Sequence, residues 1–201
     1  PGAAMSRSAR MLLFANAATL LAALILDWPA GWLLWPYWMQ SVVIGWYARK
    51  RMLSLRLFST SGFTSNDQPV PENDAGKRST ANFFTLHYGF FHLCYFIFLC
   101  AEHPLHVGWD LIVLAACGVS FVLSQRQTYA AQHAADLRGR PNLGALMFTP
   151  YLRVIPMHLA ILLGAALGGS TGLMVLFTVL KTLSDLGLDA VDRKMAVRSA
   201  D

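Results

Sequence analysis

The chain has 201 residues, of which 55% are hydrophobic and only 13% charged, and its net charge is +5. An average soluble domain is about 25% charged, and disordered chains are poor in apolar residues, so both classes are excluded. What remains is an all-α polytopic membrane protein, a transmembrane helix bundle long enough for one domain. The positive charges sit at the edges of apolar runs, which suits a membrane topology and gives no reason to expect a nucleic-acid partner.

Residues 1–4, Pro-Gly-Ala-Ala, read as an expression remnant, with Met5 as the native start of a single domain over 5–201. Six apolar segments follow, at 11–26, 32–47, 83–101, 107–123, 146–167 and 171–188. The first is read as a retained helix, because Asp27-Trp28-Pro29 follows it where a signal peptide would need small residues. Trp28, Trp32, Trp35, Trp46 and Trp109 fall at or near span ends, as an aromatic belt requires, and Trp38 lies deeper. The loop over 48–82 is rich in Ser, Asn, Asp and Pro between about Leu55 and Thr80, and reads as partly mobile and cytoplasmic.

The basic residues set the orientation. Arg7 and Arg10 precede the first span. Arg49, Lys50, Arg51, Arg56, Lys77 and Arg78 lie between the second and third. Arg126, Arg138 and Arg140 lie between the fourth and fifth, and Arg193, Lys194 and Arg198 follow the sixth. The other three connections hold no Lys or Arg. This alternation predicts six spans with both termini in the cytoplasm, in a bacterial inner membrane. The string Gly168-Gly169-Ser170-Thr171-Gly172 spells GxSxG but joins two spans, so it reads as a turn and not as a nucleophile elbow. Cys94, Cys100 and Cys117 lie in apolar runs without a CxxC pair, and read as small core residues. Gly164, Gly168 and Gly169 would permit close helix packing, within one chain or in a homo-oligomer.

Ionisable groups inside spans cost about 2.5–3.5 kcal/mol each and so face the bundle interior, pair, or serve a function. With a rise of about 1.5 Å per residue, Gln40, His92, His158 and Lys181 share one depth on four spans. His87, Arg153 and Asp185 form a second layer about 7 Å nearer the cytoplasm, with Asp189 beyond it. One polar cavity open to the cytoplasm is the expectation. Lys181 and Asp185, four apart, share a helix face and read as an ion pair. His87 and His92 are five apart, about 140° around a regular helix, so only a π-bulge near Gly89 would bring them together. Pro156 removes a backbone donor and frees the carbonyl of Leu152.

Four stretches carry a resemblance. They are Tyr37-Trp38-Met39-Gln40-Ser41-Val42-Val43-Ile44-Gly45, His87-Tyr88-Gly89-Phe90 with His92, Tyr151-Leu152-Arg153 running to His158, and Lys181-Thr182 with Asp185. Together they resemble an uncharacterised family of prokaryotic integral membrane proteins with HYGxF, RxxxxH and KTxxD motifs. The resemblance implies a membrane bundle and no particular activity. Gln40 stands where that pattern leads us to expect glutamate, and Asp189 where we expect histidine.

Several functions compete on these residues. A metal-dependent intramembrane hydrolase would use His87, His92, His158 and Asp185 as ligands to zinc or iron. Lys181 and Arg153 would hold negative charge, Gln40 would position water, and the substrate would be a lipid or lipid-linked molecule. A proton-coupled or small-solute transporter would use the same pair and histidines as a relay. A b-type haem protein would use His92 and His158 as axial ligands. A structural bundle would use the polar groups only as interhelical locks.

Overall fold

The computed structural model describes residues 7–164 and 170–198. The chain is mostly helical. Its elements are α1 (Arg7–Ile25), α2 (Gly31–Ser54), a short hairpin of β1 (Thr64–Ser65) and β2 (Gln68–Pro69), α3 (Asp74–Glu102), α4 (Trp109–Asp136), α5 (Leu143–Phe148), α6 (Tyr151–Gly164) and α7 (Ser170–Arg198). Among the described residues, four stretches are long and apolar enough to cross a membrane: Asp74–Glu102, Trp109–Asp136, Leu143–Leu163 and Thr171–Leu188. The apolar part of α1, Leu13–Ile25, is shorter. The expected span over 146–167 is divided between α5 and α6 by a turn at Thr149 and Pro150. Of the expected GxSxG turn from Gly168 to Gly172, Gly168 and Gly169 lie outside the described residues, whereas Ser170, Thr171 and Gly172 form the first turn of α7.

Two compact units form, one from Pro1–Leu34 with Leu152–Asp201 and one from Trp35–Tyr151. In the first unit α1 packs along α7. Leu173, Met174, Phe177, Thr178, Asp185 and Leu188 are buried on α7, at the three- and four-residue spacing of one helix face. On α6, Pro156 is buried inside the helix. The Leu152 carbonyl that this proline frees accepts a hydrogen bond from the Ser184 hydroxyl of α7. A side chain thus supplies the donor that the proline removed.

The second unit is organised by α3. Asn73 caps the helix, its side-chain oxygen accepting from the Gly76 N–H at 2.9 Å, and Asp74 occupies the first turn. This cap starts the helix well ahead of the apolar run that begins at Phe83. Phe84, Tyr88, His92, Tyr95 and Leu99 are buried, and their spacing of three or four places them in one stripe. The helix is regular throughout, so the π-bulge that would have joined His87 to His92 is not formed. Close approach to α2 depends on Gly45, where a Cβ would lie 2.5 Å from the Tyr88 ring. Trp38 donates its indole N–H to the His92 carbonyl at 2.9 Å, which explains its depth, and Trp35 donates to the His103 carbonyl at 2.7 Å. Arg51 of α2 grips Asp136 of α4 through two bonds of 2.6 and 2.8 Å. Along α4, Ile112, Val119 and Leu123 are exposed.

The segment expected to be a partly mobile loop is folded. Asn66 and Asp67 both have positive φ, 50° and 61°, the signature of a type I′ turn, which tolerates Asn and Asp there. Thr64 pairs with Pro69 and Ser65 with Gln68. The segment is also stitched to the residues ahead of α5. The Ser59 N–H donates to the Pro141 carbonyl at 2.9 Å, and the Leu143 N–H donates to the Ser59 carbonyl at 2.8 Å. Glu72 accepts from the Thr60 N–H at 2.9 Å and pairs with Arg140. Loop polarity concealed this order because the bonds that fix it are long-range.

Candidate functional site

A concavity of the second unit lies beneath the hairpin. Its volume is about 930 Å³, at the upper end of the size of small-molecule pockets. Three parts of the chain enclose it. The hairpin segment supplies Phe63, Val70 and Pro71, α3 supplies Ser79, Phe83 and His87, and the third side is Met147, Phe148 and Tyr151. The lining surface is mostly apolar, and Thr64, Asn66, Gln68, Ser79 and Thr80 bring polar groups to it from the hairpin and the start of α3. Phe63 stacks edge-on to Phe148, their ring centroids 6.2 Å apart. Gly76 is required where the hairpin segment meets α3, because a Cβ there would collide with the Pro71 carbonyl.

His87 and Tyr151 add a hydrogen-bonding pair to this cavity. The His87 Nδ1 lies 2.9 Å from the Tyr151 hydroxyl. Phe83 stacks on the His87 ring at 5.3 Å, one turn away. Tyr151 meets Phe84 and Tyr88 edge-on, at 5.8 and 5.5 Å. These contacts hold the phenol in place while leaving the imidazole exposed toward the cavity. A phenol and an imidazole in contact can donate to, accept from, or exchange a proton with a bound polar group.

The other predicted site residues fall elsewhere. His92 is buried in the α3 stripe, and its Nδ1 lies 2.9 Å from the Tyr88 carbonyl. Gln40 is half-buried on α2. His158 lies exposed on α6 in the first unit. Arg153, Lys181 and Asp185 also belong to the first unit, where they meet one another and Asn16 of α1. The Lys181 ammonium donates to Asp185 at 2.7 Å and to the Asn16 amide oxygen at 2.9 Å. The Asn16 amide donates to Asp185 at 3.3 Å, and Arg153 approaches the other carboxylate oxygen at 3.5 Å. The side chain of Asp189 lies outside the described residues.

This geometry lends no support to the zinc or iron expectation. Among the described residues no three His, Cys, Asp or Glu side chains gather as a metal site would require. His87 and His92 are turned to different neighbours on one regular helix, and both Asp185 oxygens are engaged by cations or by Asn16. Sequence reasoning missed Asn16, Tyr151 and Ser184 as partners. Asn16 carries a signal, as a lone amide in an apolar run, and Tyr151 stands in one of the stretches that carry the resemblance, where it had no role assigned.

A family model matches the chain over residues 1–201. The chain belongs to DUF6498, a family of unknown function. No curated protein matches it, and no solved structure does. Membership in DUF6498 therefore brings no activity with it, and the function must be argued from the site.

Proposed function

We propose that this protein is a six-span inner-membrane protein, with cytoplasmic termini, that takes an amphipathic lipid-class ligand into the cavity beneath the hairpin. The observation that carries this reading is where the cavity lies along α3. Its lining runs from Ala75 to His87, about 18 Å of helix, and crosses the point at Phe83 where the apolar run begins. A ligand there has one end among Ser79, Thr80 and the hairpin and the other beside Phe83 and Phe148. The His87–Tyr151 pair meets the ligand's polar group on the apolar side of that border. The alternation of Lys and Arg between connections supports the topology. The exposed apolar faces of α3 and α4 support it too, since lipid would cover them.

The first unit supports a structural reading of its polar residues. Lys181, Asp185, Asn16 and Arg153 bond to one another, and no buried side-chain donor or acceptor among the described residues lacks a partner. They lock α1, α6 and α7 together, as interhelical polar contacts do in membranes.

Native mass spectrometry of the delipidated protein with a single-chain lysophospholipid tests the ligand reading. One bound molecule per chain is expected, with roughly tenfold weaker retention in Ser79→Phe, which fills the cavity. Equal retention by the two proteins would overturn it.

A further inference from the structure

A second concavity of the same unit lies between α2 and α3, and it has two chemically different parts. Near the end of α2 and the start of α3, a cavity of about 360 Å³ is lined by Arg49, Lys77, Arg78 and Asp74. Beside it, a groove of about 320 Å³ runs between Val42, Gly45 and Trp46 on α2 and Phe84, Tyr88 and Gly89 on α3. Arg49 lines both, so the two adjoin at its side chain. The mouth holds three cations to one carboxylate. The Lys77 ammonium is committed to the Leu55 carbonyl at 2.8 Å and to Asp74 at 2.7 Å. Arg49 and Arg78 form no salt bridge among the described residues. Two guanidinium groups therefore line the mouth, and that of Arg49 also borders the apolar slot.

We infer that this groove binds an anionic phospholipid, its phosphate at Arg49 and Arg78 and one acyl chain between Trp46 and Gly89. Guanidinium groups match phosphate oxygens in pairs, and basic pockets between helices on the cytoplasmic side suit anionic head groups. Arg49, Lys77 and Arg78 belong to the connection that the charge pattern assigns to the cytoplasm. The slot is open where the chain must lie. At Gly89 a Cβ would meet nothing within 4 Å, so the missing side chain leaves space and not a packing contact. The inference uses the membrane placement of α2 and α3 and is independent of the hairpin cavity.

Trp46, exposed on the groove wall, provides the readout. The full chain is reconstituted in phosphatidylcholine bilayers containing phosphatidylglycerol or phosphatidylcholine with brominated chains. A Trp46→Phe variant subtracts the other five of the six tryptophans. Brominated phosphatidylglycerol is expected to quench Trp46 at a mole fraction roughly tenfold lower than brominated phosphatidylcholine. An arginine near a charged membrane surface contributes on the order of fivefold in binding. The double variant Arg49→Gln, Arg78→Gln should therefore abolish the preference. Gly89→Leu keeps the helix, fills the slot and should abolish it as well. Ser79→Phe, in the hairpin cavity, should leave it intact. Equal quenching by the two lipids, or a preference that survives both groove variants, would overturn the assignment. Displacement of phosphatidylglycerol by inorganic phosphate at comparable concentration would also overturn it, by making the mouth a site for free phosphate.

Discussion

On α1, α6 and α7, Asn16, Arg153, Lys181 and Asp185 bond to one another within one unit of the chain. On α3 and at Tyr151, the other unit places an imidazole and a phenol against a cavity of about 930 Å³. Both sets are polar groups in apolar sequence, and the second lines a cavity. Charge within an apolar segment is therefore a poor guide to function by itself. Its cost can be offset by a neighbour on another helix, and the residue then does no more than hold the helices together. The informative group is the one whose surroundings leave room for a ligand.

This contrast can be broken most forcefully at Asp185. Asp185→Ala leaves Lys181 without its carboxylate and should cost about 3–5 kcal/mol, read as a lower unfolding midpoint in detergent. The double variant Lys181→Met, Asp185→Leu should recover most of that loss, since apolar replacements carry no desolvation penalty. A functional relay would instead show near-normal stability in the single variant. Ser184→Ala, which orphans the Leu152 carbonyl beside Pro156, should cost about 1–2 kcal/mol in the same measurement.

Tyr151→Phe should behave in the opposite way. It removes one hydrogen bond to exposed His87, so stability should fall by no more than about 1 kcal/mol. Amphiphile retention should fall roughly tenfold. A large loss of stability without a loss of retention would move the pair into the same structural class as Lys181 and Asp185.

The smallest expected effect concerns pH and the hairpin wall. The Thr60 N–H, and after it Arg140, hold the Glu72 carboxyl below the usual glutamate range. A lowered folded-state pKa means that the contribution is fully present above the unfolded value. It is lost as pH falls through the folded value. Hydrogen exchange at residues 59–72 should therefore quicken on acidification through that range, and Glu72→Gln should remove the pH dependence. Exchange that is unchanged by acid in the parent protein would show that Glu72 does not secure this wall.

Some of this was legible in the sequence. The apolar runs located the helices, and the Lys181–Asp185 spacing gave their ion pair, because a helix brings residues four apart together whatever the fold. Pro156 announced an unsatisfied carbonyl at Leu152, although not the serine that bonds it. The start of α3 was missed by several residues, since Asn73 and Asp74 cap a polar first turn that hydropathy does not register. The hairpin was missed because its order rests on contacts from Ser59 to Pro141 and from Glu72 to Arg140, far apart in sequence. Among the described residues the expected metal ligands are not gathered. Depth along a helix is readable from residue number, but His87 and His92 share a helix and not a face.

The most direct test of the hairpin cavity is photolabelling of the reconstituted protein with a diazirine-bearing lysophospholipid, followed by mapping of the modified peptides. Label concentrated on residues 63–71 and 147–151, and competed by unlabelled lysophospholipid, is the expected result. Label spread evenly over the exposed apolar faces of α3 and α4, with no competable enrichment beneath the hairpin, would contradict the account.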